Sequence, residues 1–225
     1  MLRPSYIFDD ESRRRLNAAV AAAEAKTSAE IVPVVASESG RYDRSEDLAG
    51  LCMALLALTI AWLLFQKVEA PENSWTEPRL GLNLVEIVII LVVGFIVGAL
   101  LASHIAWLRR LFTPRREMQV EVNERARQVF FDQRVHHAKS GGGVLIYVSL
   151  FERMAAIIAD EAVIEKVGMT EIENWCRQLT ARLRQEDLAG AMEYTISIVG
   201  EKLSTVMPRA AGDVNELPDA LVVMD

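Results

Sequence analysis

Basic triplets are scarce in this sequence. Arg13-Arg14-Arg15 is the one basic triplet in its polar part; it stands beside Asp9, Asp10 and Glu11 and reads as a solvated helix face. With a net charge of −7 and no basic run interleaved with aromatics in the part outside the long apolar stretches and their flanks, nucleic acid is not an expected partner. Cysteine is scarce too. Cys52 and Cys176 form no CxxC pair, and each reads as a small buried hydrophobe, so nothing suggests a disulfide framework and a reducing compartment fits. The N-terminus, MLRPSYIFDDESRRR, lacks both an apolar core and a small-residue cleavage site, so it is not expected to act as a signal peptide.

Catalytic sets are equally sparse. No Ser-His-Asp or Cys-His arrangement stands out. His136 and His137 have only His104 for company, and that residue falls in an apolar run, so no zinc site assembles. Gly141-Gly142-Gly143 precedes an apolar run of strand type. A phosphate cradle needs glycines after a strand and before a helix, so the triplet reads as a turn.

What the sequence does have is long apolar stretches. Apolar residues make up 52% of the chain, and the excess lies between Leu48 and Leu108. Leu48–Phe65 carries no charge, and Leu84–Leu108 carries only Glu86 and His104. Each is long enough to cross ~30 Å of hydrocarbon at ~1.5 Å per residue. The two are therefore expected to be membrane helices at 48–65 and 84–108, joined by a loop at 66–83. Arg41, Arg44, Arg109, Arg110, Arg115 and Arg116 flank the pair, whereas the loop holds only Lys67 and Arg79 against Glu69, Glu72 and Glu77. That asymmetry predicts a multi-pass inner-membrane protein with both termini and the polar domain in the cytoplasm. Trp62, Trp75 and Trp107 lie at or near the span ends, where amphipathic rings favour the interface. Small residues recur at helical spacing, as Gly50, Ala54, Ala57 and Ala61 on the first run and Gly94, Gly98, Ala102 and Ala106 on the second. Such stripes predict close packing of the two helices.

The remaining ~165 residues are enough for a sizeable core. A helix capped by Asp9 or Ser12 is expected to about Ala25, then a strand over Glu30–Ala36 in which Pro33 is awkward. Ser37–Asp47 reads as a polar linker. Residues 117–134 form an amphipathic helix, Val144–Phe151 and Met154–Ala159 are strands, and two more helices carry Ile172 to Leu183 and Leu188 to Leu203. The tail from Pro208 reads as an acidic loop. The elements predict an α/β sandwich split by the apolar insertion: residues 1–47 and 109–225 form one domain around a hairpin at 48–108.

The stretches AAEAKTSAEIVPVV (22–35), GGVLIYVSLFERMAAIIAD (142–160) and DVNELPDAL (213–221) resemble the TPM domain, the fold shared by thylakoid lumen phosphatase-like proteins and many bacterial membrane proteins. The resemblance is to a bacterial subgroup with two membrane helices inside the domain. It implies a three-layer α/β/α sandwich and three possible roles: acid phosphatase activity, calcium binding, or assembly and repair of membrane complexes. Many members are exported, a departure from the cytoplasmic placement expected here. Matching the family's acid puts a ligand or catalytic role on Asp160, with calcium or magnesium as the cation; Glu161 next to it and Glu30, whose nearness at the start of the first strand is left open, are further candidate ligands. Asp160 and Glu161 close a strand, the edge of an α/β sheet where ligands tend to bind; an exposed strand-end acid is the other reading. Glu152-Arg153 is either an internal ion pair fixing a hairpin or, through Arg153, a phosphate site. Of the two functions left open, a membrane-anchored scaffold or assembly factor acting on other membrane proteins is preferred to a metal-dependent phosphatase.

Overall fold

The structure is a computed structural model that describes residues 4–65, 82–135, 142–185, 187–210 and 220–225. It is a mixed α/β fold with one four-stranded sheet and two long apolar helices. Two compact units divide the chain. One is Arg41–Pro114; the other joins Leu2–Gly40 to Arg115–Asp225.

In the second unit, α1 (Pro4–Ile7) leads to α2 (Asp10–Glu24), which begins where Asp9 accepts a hydrogen bond from the Ser12 amide. That amide has no partner within its own helix, so the cap satisfies a donor that helix geometry leaves orphaned. β1 (Glu30–Ala36) runs beside β2 (Gly143–Ser149) in parallel, and β3 (Met154–Ala159) returns antiparallel to β2. The sheet order is β3-β2-β1-β4, where β4 is Val222–Met224. β1 and β2 are buried on both faces, which is why they read as nearly continuous apolar runs rather than alternating ones. Pro33 is tolerated because β4 pairs only with Val34, Val35 and Ala36. The β4 side of β1 carries no described ladder at the residue that lacks an amide.

Helices cover both faces. α2, α7 (Glu161–Val167), α8 (Met169–Arg182) and α9 (Leu188–Val206) pack on the face bearing Ile31, Val35, Val144, Ile146 and Val148. α6 (Arg115–Asp132) packs Val122, Ala126, Val129 and Phe130 on the opposite face, against Val32, Val34, Leu145 and Tyr147. The expected tail loop from Pro208 needs correction at its end, where β4 adds an edge strand to the sheet. Asp213, Glu216 and Asp219, and the histidine pair at 136–137, lie outside the described residues.

The first unit holds α3 (Asp43–Phe65), α4 (Leu84–His104) and α5 (Ala106–Phe112). Two expectations change. Asp43 to Asp47 belong to the first turn and a half of α3 and not to a linker. The second apolar run also breaks at Ile105, whose extended backbone ends α4 and starts α5 in a new direction. Cys52 is exposed on α3, not buried, whereas Cys176 is half-buried and donates to the Ala155 carbonyl.

Candidate functional site

Asp160 closes β3, and β3 runs against β2. Its C-terminal end therefore lies at the N-terminal edge of the parallel strands β1 and β2, opposite the edge where α/β folds bind ligands. A strand's direction is not written in its own residues, so the sequence placed Asp160 at the wrong edge. At this edge both carboxylate oxygens are engaged. Oδ1 accepts from the Val163 amide at 3.0 Å and caps α7; Oδ2 accepts from the Gly143 amide at 3.0 Å and ties the end of β3 to the start of β2. Gly142 has φ +102°, and a Cβ there would meet both Asp160 oxygens within 2.7 Å, so the strap requires glycine.

Glu30 reaches the same edge. Its amide donates to the Gly142 carbonyl, its Cα partner is Gly143, and its side chain is 5% exposed. Glu161 is exposed in the first turn of α7. The structure thus brings Glu30 and Asp160 to one pair of glycines and leaves Glu161 facing outward. Among the described residues, no three His, Cys, Asp or Glu side chains gather as a metal-holding group.

A second polar cluster occupies the C-terminal edge, where sequence reasoning saw only Glu152-Arg153. Glu152 is 3% exposed and turns inward; Oε1 accepts from the Ser39 amide at 2.8 Å, and Oε2 from the Ser149 hydroxyl. The Tyr147 hydroxyl lies 3.0 Å from Ser39 Oγ, and burial pushes its pKa up. Arg153 faces solvent with φ +54° at the corner between β2 and β3. The Glu152 carboxylate joins this hairpin to the segment leaving β1. Phe151 and Leu150 reinforce the joint by donating to the Ser37 and Ala36 carbonyls. The Ser149 hydroxyl is fully buried, so this Ser–Glu contact is a lock and not an accessible nucleophile.

The α/β architecture has a counterpart among solved structures. The NMR structure of the BA42 protein from the psychrophilic bacterium Bizionia argentinensis aligns over 99% of this chain and 99% of its own, with a TM-score of 0.56 and 15% sequence identity. At that identity the likeness is one of fold alone. No protein-family model matches the chain, and no curated protein matches it.

The small-residue stripes of the apolar helices meet each other. A Cβ on Gly94 would sit 2.8 Å from Ala54 Cα and 3.3 Å from Ala57 Cβ. On Gly98 it would sit 2.6 Å from Met53 Cβ, 2.9 Å from Gly50 Cα and 3.0 Å from the Ala49 carbonyl. The helices therefore run antiparallel with their backbones in contact. Ala54, Ala61 and Ala102 are buried along the seam, while Ala106 is exposed because the break at Ile105 removes it from the stripe. Leu55, Leu63, Val88, Val92, Ile96 and Leu100 face outward.

Proposed function

We propose that the chain is a membrane-anchored TPM-like protein whose three-layer α/β/α domain is held at the cytoplasmic face by the α3–α4 hairpin. In this reading it serves as a scaffold or assembly and quality-control factor for other membrane proteins. One observation carries the anchor. The two helices bury their small residues against each other and expose their large ones, with only 22% and 11% of their most apolar windows buried. Core helices of a soluble domain do the reverse, whereas membrane hairpins gain their contacts from close backbone approach. Orientation is supported by the six flanking arginines against two cations in the loop.

The scaffold role rests on what the carboxylates do. Asp160 and Glu152 accept from the Gly143, Val163 and Ser39 amides and the Ser149 hydroxyl, and Glu24 accepts from the Ile31 amide at 2.8 Å. Acids used this way hold the fold together. Inverted exposure of the two ends tests the anchor: in a Cys52→Ala, Cys176→Ala background, Ser74→Cys should react with an impermeant thiol reagent in intact cells. Lys202→Cys should react only after lysis; the opposite pattern places the domain outside. For the role itself, affinity capture of the full chain from detergent-solubilised native membranes should recover subunits of a membrane complex. Removing the protein should lower the assembled fraction of that complex. Hydrolysis of a generic phosphate ester that requires calcium or magnesium and is lost in Asp160→Asn would replace the scaffold with an enzyme.

A further inference from the structure

A single residue, Ile105, separates the short helix α5 from α4, and three contacts tie α5 and its C-cap Thr113 to the start of α3 and the residue before it, Tyr42. Arg109 is 6% exposed; its Nη1 lies 3.6 Å from Glu46 Oε1, and its guanidinium stands over the Tyr42 ring at 5.9 Å. The Ser45 and Thr113 hydroxyls share a buried hydrogen bond of 2.8 Å. Arg109 faces inward, so the opposite side of α5 faces out. That side carries Trp107 and Leu111, one helical turn apart and 65% and 69% exposed.

The level at which α5 sits follows from the packing of the two long helices. Gly98 meets Gly50, and Gly94 meets Ala54. Four residues further outward, the same antiparallel register sets Glu46 level with Ala102. The charged turn Asp43–Asp47 thus coincides with the end of α4, just beyond the uncharged stretch Leu48–Phe65. At ~1.5 Å per residue that stretch spans roughly 27 Å, close to the ~30 Å of a hydrocarbon core. Glu46 therefore marks the boundary of the apolar layer, and the Arg109–Glu46 contact sets α5 at that depth.

We infer that α5 is an interfacial foot that lies along the phospholipid headgroup boundary with Trp107 and Leu111 directed into it. The inference rests on the membrane reading of α3 and α4 and deepens it by naming a lipid-contacting element outside the spans. An indole is suited to this place, since its ring is apolar and its N–H still finds water or a headgroup oxygen. Arg44, exposed at the same end, and Arg41, which reaches Asp43 at 3.9 Å and still leaves 88% of its side chain exposed, match the anionic surface such a foot would meet. By holding α5 at the charged turn, Arg109 and Glu46 stop α4 from continuing as one longer, tilted span.

The test uses the full chain with Cys52→Ala and Cys176→Ala, reconstituted in vesicles of phosphatidylcholine and phosphatidylglycerol. Single variants Leu111→Cys, Val92→Cys and Lys202→Cys each receive a spin label, and collisions with oxygen and with an aqueous nickel chelate are measured. The oxygen-to-nickel ratio at 111 should be several-fold above that at 202 and well below that at 92. A label at 111 as wet as at 202, with 92 deep, overturns the foot and leaves the membrane reading standing. A label at 111 as deep as at 92 overturns it too, because α5 then belongs to the span. A wet label at 92 ends the membrane reading, and the foot with it.

Discussion

Both oxygens of Asp160 accept backbone N–H bonds, one from inside α7 and one from the first residue of β2. The two roles respond differently to substitution. Asparagine is as good a cap as aspartate, but its amide group presents a donor where the second oxygen accepted. Asp160→Asn should therefore keep the cap, lose the strap and cost about 1 kcal/mol. Asp160→Ala loses both and should cost about 2 to 3 kcal/mol. Urea unfolding of the two variants checks the order; equal losses would mean that the strap to Gly143 contributes nothing. A rise in the wild type's unfolding temperature with added calcium, absent in Asp160→Asn, would instead give this carboxylate a cation to hold. From sequence, the residue was visible and its task was not. Its partners lie 17 and 3 positions away, and only the nearer one belongs to a spacing that a capping pattern announces.

Elements whose character is local were legible. The β-branched run of β1, the short apolar run of β3 and the 3.6-residue stripe of α6 carry their own signal, and their observed bounds match it closely. β4 was not legible, because three residues have no periodicity; pairing to β1 alone makes Val222–Met224 a strand. The break at Ile105 was hidden for a related reason. The residues around it are as apolar as those of a continuous helix, and the contact of Arg109 on α5 with Glu46 joins residues far apart in sequence. The α3–α4 seam, in contrast, followed from spacing alone. At Gly98 a side chain would press on the Gly50 and Ala49 backbone, which cannot rotate away. Gly98→Leu should therefore separate the helices and abolish cooperative unfolding in detergent micelles. Val92→Leu, on the outward face, should melt as the wild type does. If both variants unfold alike, the close approach is incidental.

At the scale of the whole chain, Gly40 ends the first part of the α/β unit and Arg115 opens the second. A Cβ on Gly40 would touch the Glu121 side chain, and Glu121 stands six residues into α6, about 9 Å along the axis from Arg115. The two ends can thus be joined by a short bridge, since a linker of about six residues reaches roughly 20 Å when extended. Replacing residues 41–114 with a six-residue Gly/Ser linker should yield a water-soluble protein. It should retain the α/β circular-dichroism spectrum and a single cooperative thermal transition. A product that aggregates or melts without cooperativity would show that the α/β unit requires the helices it surrounds.

The pairing of β1 with β2 also imposes an order in time. Glu30 and its partner Gly143 leave the ribosome roughly 110 residues apart, a delay of about 6 to 20 s at typical rates of synthesis. Throughout that interval EIVPVVA has been made while its neighbour has not, and both apolar helices are synthesised in between. Both apolar helices are therefore complete before the sheet can close. A ribosome stalled before Gly143 would leave a chain whose β1 is bare of its partner, an unpaired apolar strand prone to aggregate.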